Sequence, residues 1–147
     1  MENILKEIIS NKSITAALLA WFFSQSIKVV RDILKEKKID LKLLLSSGGV
    51  VSSHCAAVSA LVVLIGKNFG WTSPLFAISA IFASIVISDA SGIRQEAGKQ
   101  AEIINKIIED LYQKKGIKIE RLREFLGHSA MEVFWGVLLG VLTGIFI

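Results

Sequence analysis

Four stretches of the chain are apolar for about the length of a helix, and the charged residues fall between them or in their end turns. The first runs from Ser13 to about Val30, through Ala16-Ala17-Leu18-Leu19-Ala20-Trp21-Phe22-Phe23. The second covers about 48–66, the third about 74–92 and the fourth 128–147. Each approaches the roughly 20 residues a helix needs to cross bilayer hydrocarbon, so four transmembrane helices are predicted. Pro74 suits the first turn of the third. Acids as well as bases precede the first stretch (Glu2, Lys6, Glu7, Lys12) and a basic segment follows it, which is unlike a cleaved signal peptide. Between the third and fourth stretches the period changes. Ala97, Ala101, Ile104, Ile108 and Leu111 recur at spacings of four and three, and Ile103 and Ile107 widen the stripe. That spacing predicts an amphipathic helix from Glu96 to Lys115, closed by Gly116, packed on the bundle or lying on the membrane surface. A second short basic helix is expected at about 119–126, ending at Gly127.

Composition agrees with the pattern. The chain is 52% hydrophobic with a single proline and a mean hydropathy of +0.58, too apolar for an ordinary soluble domain. Its one cysteine, Cys55, excludes an internal disulfide and a thiolate metal cage. No linker, low-complexity run or convincing repeat divides residues 1–147, which read as one all-α integral membrane domain. The net charge of +4 is modest, so the placement of the basic residues matters more than their number. Arg31, Lys35, Lys37, Lys38 and Lys42 lie in the first loop, and Arg94, Lys99, Lys106, Lys114, Lys115, Lys118, Arg121 and Arg123 lie between the third and fourth stretches. Opposite them stand only Lys6, Lys12 and Lys67. The excess places loops 31–46 and 93–127 in the cytoplasm of a multi-pass cell-membrane protein. A membrane is therefore an expected partner, and nucleic acid is not.

This topology gathers the ionisable residues at one membrane face. Lys28 and Arg31 close the first stretch and share a helix face, where they would serve equally well as snorkelling cations. Gly48-Gly49 and Ser52-Ser53-His54 open the second, where glycines allow close backbone approach and a helix N-terminus favours an anion. Asp89, Arg94 and Lys99 follow the third, and His128 and Glu132 open the fourth. Ionisable groups beside membrane spans usually mark an interior or a water-filled cavity. His128 and Glu132, four apart, share a face, and a carboxylate bonded to one imidazole nitrogen leaves the other free as a base or nucleophile. Gly136, Gly140 and Gly144 continue that face. They are expected to pack within the bundle or to make a homo-oligomer contact with a second subunit.

These residues carry a family resemblance. His128-Ser-Ala-Met-Glu132-Val-Phe-Trp-Gly136-Val-Leu-Leu-Gly140 resembles the third signature of the type 2 phosphatidic acid phosphatase superfamily, and Val51-Ser52-Ser53-His54 resembles the second. Gly48-Gly49, the stretch from Asp89-Ala-Ser-Gly-Ile-Arg94 to Gly-Lys99-Gln-Ala, and Leu126-Gly-His128 are closer to its small divergent branch, the acid phosphatase/vanadium-dependent haloperoxidase-related proteins. The resemblance implies a membrane phosphatase, needing neither metal nor other cofactor, that hydrolyses a lipid phosphate or diphosphate through a phosphohistidine. It makes His128 the nucleophile, Glu132 its orienter and His54 the general acid, with Lys28, Ser52 and Ser53 on the phosphate and Arg31 and Asp89 as accessories. Three departures stand out: Val51 replaces a proline, the Arg-Pro usual after the first-signature lysine is missing, and Leu122, flanked by Arg121 and Arg123, occupies the position of the third-signature arginine. Arg94 and Lys99 are the expected replacements for that charge. Two other readings stay open. One is a non-catalytic lipid-phosphate binder or Gly-packed assembly. The other is a metal site of His54, His128, Asp89 and Glu132, which lacks compact ligand spacing.

Overall fold

The computed structural model describes residues 6–7, 10–36, 50–112, 122 and 128–147. Among them there are five helices and no strand: α1 (Lys12–Glu36), α2 (Ser53–Phe69), α3 (Pro74–Ser91), α4 (Ile93–Tyr112) and α5 (Ala130–Phe146). Two stretches, Lys12–Leu34 and Pro74–Glu109, are long and apolar enough to cross a membrane, while α2 and α5 are apolar but shorter, at 17 residues each.

The helix ends follow local chemistry, and several differ from the sequence expectation. Helix α1 continues past Val30 through Arg31 and Asp32 to Glu36, because no glycine or proline interrupts Arg31-Asp-Ile-Leu-Lys-Glu36; part of the expected basic loop is therefore helical. Helix α2 begins at Ser53, with Ser52 as N-cap; Gly48 and Gly49 lie outside the described residues. At its other end α2 runs on through Lys67, whose ammonium reaches the last turn of α5 and donates to the carbonyls of Gly144 at 3.2 Å and Ile145 at 2.8 Å. A cation at a helix C-terminus is well placed against the dipole. Ser73 caps α3, with Pro74 at its start as expected. The turn into α3 is closed by Trp71, which covers Gly66 and meets Phe76 edge-on at 5.3 Å. Backbone bonds run through Gly92, which donates to Ser88 O at 2.8 Å and accepts from Glu96 N at 3.0 Å, so α4 starts three residues earlier than the stripe suggested. Gly116, Gly127 and most of the expected helix at 119–126 lie outside the described residues.

Packing centres on α2 and inverts the pattern of a water-soluble bundle. The interior is small and weakly polar: Ala16, Ala20, Ser24, Ser52, Cys55, Ala56, Ser59 and Ala60 are all buried. Large apolar side chains point outward, among them Leu18, Phe22, Ile78, Ile81, Phe82, Ile85 and Phe134. In water such a surface would drive association, whereas in lipid it costs nothing, and helices are then held by close contact of small residues. Gly136 meets Ser52, Gly140 meets Ala56 and Ser59, and Gly144 meets Ala60 and Val63. Steps of four on α5 match steps of four on α2, so the two helices run parallel and in register. This occupies the glycine face inside the chain. Of the two roles expected for Gly136, Gly140 and Gly144, packing within the bundle is the one the described residues display.

Candidate functional site

The starts of α2 and α5, the end of α3 and the middle of α1 are tied together at the level of Ser52. Ser24 Oγ on α1 donates to the Val51 carbonyl at 3.2 Å. The Ser52 N–H donates to the Glu132 carbonyl at 2.9 Å, joining the starts of α2 and α5, and the His128 N–H donates to the Ala90 carbonyl at 2.9 Å, joining α5 to the end of α3. Val51, in the place of the signature proline, is buried. These bonds leave little freedom in how His54, Asp89 and His128 face one another.

A cavity of about 250 Å³ opens among α2, α3 and α5, lined by His54, Asp89 and His128 with Ile85, Val86 and Ala90. Three residues singled out from three separate stretches of sequence thus share one space. The His128 side chain is 6% exposed and Glu132 26%, and His128 Nδ1 lies 3.5 Å from Glu132 Oε2. That is an ion-pair distance, longer than a hydrogen bond, and Nδ1 is buried with no hydrogen-bond partner. Glu132 is already engaged: its Oε2 accepts from the Ser129 N–H at 2.7 Å, and its own N–H donates to Ser129 Oγ at 3.3 Å. This reciprocal capping box fixes the carboxylate one turn from His128.

Lys28 is only 3% exposed, and its Nζ has no hydrogen-bond partner. Glu132 acts on it electrostatically, and Lys28, Glu132 and His54 all act on His128. A buried ammonium without a hydrogen bond is costly, and Lys28 is not among the residues that line the cavity. Ser52 and Ser53 are buried at the start of α2, where Ser52 Oγ accepts from Cys55 N at 3.5 Å. The Ser52 N–H, consumed by Glu132, is not available to a ligand.

The remaining expected residues lie elsewhere. Lys99 is exposed on α4 and paired with Glu96 at 2.6 Å, and it does not line the cavity. Arg31 is exposed on the outer side of α1, in an apolar groove with Phe23, Ile27, Val30, Leu34 and Leu139, so it does not share Lys28's interior position. The Arg94 side chain lies outside the described residues. Among those described, no group of three or more His, Cys, Asp or Glu residues could hold a metal ion, and the four-residue metal set receives no support.

The chain resembles known proteins over almost its whole length. The pattern of a family described as "Divergent PAP2 family" matches residues 9–143. The chain belongs to this family. A membrane protein of Bacillus subtilis (strain 168), YuiD, described as uncharacterized, is 40% identical over 147 residues, covering 92% of this chain and 93% of that protein. No solved structure matches the chain. The divergent PAP2 assignment covers His54, Asp89, His128 and Glu132 alike, and it makes the chain a PAP2-related membrane protein.

Several contributors to this arrangement were not singled out in the sequence. Ser129-Ala-Met-Glu132 has the spacing of a capping box, so that signal was present. Ser24 is buried one turn before Lys28, detectable only by spacing. The Ala90 carbonyl carries no side-chain signal at all.

Proposed function

We propose that the chain is an integral membrane phosphatase that removes a phosphoryl group from a lipid phosphate or diphosphate. The observation that carries the proposal is the cavity shared by His54, Asp89 and His128, with the buried, unpartnered ammonium of Lys28 close by. Phosphoryl transfer asks mainly for positioning and for positive charge around the equatorial oxygens.

In this reading Glu132 holds the Nδ1 side of His128 and leaves Nε2 as the nucleophile. Nε2 forms a bond to phosphorus as the bond to the leaving oxygen breaks, and protonated His54 supplies the proton that the departing lipid alcohol or phosphate takes. Water, losing its proton to His54, then attacks the phosphohistidine, releasing inorganic phosphate and restoring His128. Lys28 and the buried serines at the start of α2 hold the phosphoryl oxygens. The whole chain acts as one membrane domain with four spans, α2 and α5 crossing as the two short ones. Loops 31–46 and 93–127, which carry the excess of basic residues, then face the cytoplasm, and the site lies at that interface.

The test is phosphate release from a panel of polyprenyl and glycerolipid phosphates by detergent-purified protein, with chelator present and His128→Ala in parallel. Release that survives chelation and disappears in the variant is expected. Two observations favour a second reading, a binder without turnover: the Ser52 N–H is taken by Glu132, and Lys99 is turned to the surface. Saturable vanadate binding by a well-folded protein that releases phosphate from no lipid would decide for that reading.

A further inference from the structure

Asn105 occupies a position where an amphipathic helix normally has an apolar side chain. It lies on the inner face of α4 between Ala101 and Ile108 and is only 3% exposed. Its Nδ2 donates to the Leu122 carbonyl at 2.8 Å, and its Oδ1 accepts from the Leu122 N–H at 3.0 Å. One side-chain amide thus satisfies both backbone groups of a residue 17 positions away, a match that asparagine makes because its carboxamide has the donor and acceptor of a peptide. Packing alone would be served by leucine or isoleucine.

Leu122 comes six residues before His128, and the His128 N–H is itself held by the Ala90 carbonyl. Ala90 ends α3, Asn105 belongs to α4, and the backbone bonds run through Gly92 between them. The α3–α4 unit therefore grips the chain twice on its way into α5, once by a side chain and once by a carbonyl. We infer that Asn105 is a positioning residue: by fixing the register of the chain at Leu122, it sets His128 against His54 and Asp89 on the other two helices.

The kinetic part of this inference rests on the phosphatase reading; the structural part does not. The experiment uses the full chain in detergent as wild type, Asn105→Leu and Asn105→Asp, the last keeping the acceptor for the Leu122 N–H but losing the donor. Amide exchange is followed at Leu122 and at His128, and kcat and KM are measured on whichever lipid phosphate the wild type hydrolyses. In Asn105→Leu, exchange is expected to rise about tenfold or more at Leu122 and also at His128, which Asn105 does not touch. Turnover is expected to fall about tenfold or more with KM within about twofold, since a misplaced reacting group loses rate before it loses binding. Asn105→Asp should fall between, and it carries the test if the leucine variant does not fold. Unchanged exchange at His128, or normal kcat once Leu122 is deprotected, overturns the inference. A wild type without phosphatase activity overturns the phosphatase reading instead, and exchange at His128 still decides the role of Asn105.

Discussion

Gly136→Ala tests the packing and the site in one change. A methyl group built on Gly136 meets the Ser52 carbonyl oxygen at 2.5 Å, Cys55 Cβ at 3.1 Å and Ser52 Cβ at 3.2 Å. Carbon–oxygen contacts settle near 3.3 Å, so α2 and α5 must part by roughly 0.8 Å at this point. The obstacle is backbone, which no rotamer change removes. Alanine recovers about 1 kcal/mol of helix propensity, against about 1–3 kcal/mol for overpacking. A net loss of about 1 kcal/mol is expected. The same separation strains the Ser52 N–H bond to the Glu132 carbonyl, one turn earlier on α5. Because a displacement of about 1 Å can cost about 100-fold in rate, phosphate release should fall about tenfold or more while stability falls modestly. Gly144→Ala is the control. Its methyl meets Val63 Cβ at 2.8 Å and the Ala60 carbonyl oxygen at 2.9 Å, at the opposite end of the helix pair. It should lose similar stability and keep activity within about twofold. Thermal unfolding in detergent and phosphate release at saturating lipid give both quantities. Equal loss of activity in the two variants would refute the idea that the α2–α5 contact builds the site.

Three further outcomes are expected. Lys28→Met removes a buried ammonium that has no hydrogen-bond partner, so thermal stability should hold or rise while vanadate binding drops sharply; a clear loss of stability with binding intact would show that Lys28 is structural. Ser129→Ala removes the Oγ that accepts from the Glu132 N–H, and should cost about 1 kcal/mol in unfolding measurements; the Ser129 N–H that holds the Glu132 carboxylate is backbone and stays, so kcat should hold. Lys67→Met removes the ammonium from the last carbonyls of α5; about 1 kcal/mol of stability should go with kcat unchanged, because the contact lies at the end of α2 remote from His54.

Much of this was legible in the sequence because it rests on period and spacing. The apolar stretches located α1, α2, α3 and α5, and the change to a four-three spacing located α4. His128 and Glu132 announced their shared face by being four apart. Features decided by tertiary contact were not legible. That Lys28 turns inward while Arg31, three residues on, turns to an outer groove depends on which side of α1 meets α2. That Lys99 is spent on Glu96 depends on α4 presenting both to solvent. The extension of α2 through Lys67 ends at Gly70, a local signal that was present, whereas the reach of Lys67 to the last carbonyls of α5 had none. Asn105 interrupting an apolar stripe was visible, but its partner at Leu122 was not.

The parallel packing of α2 and α5 explains why the polar residues stand where they do. Running in register along the glycine stripe, the two helices bring their N-termini side by side, and both present unpaired N–H groups and the positive ends of their dipoles to one region. Lys28 adds its buried amino group from α1. Such a concentration is unfavourable when nothing answers it, and the chain answers it only in part: Ser52 and Ser129 cap, Glu132 sits in the first turn of α5, and the Glu132 carbonyl takes the Ser52 N–H. Asp89 contributes a carboxylate to the cavity from the end of α3. The Lys28 ammonium still has no hydrogen-bond partner, and an anion would supply one. In the proposed function, a preference for phosphate would therefore arise from the register of two packed helices as much as from any one side chain. It follows that a change at Gly136, which lies outside the cavity lining, should impair the same step as a change at His128.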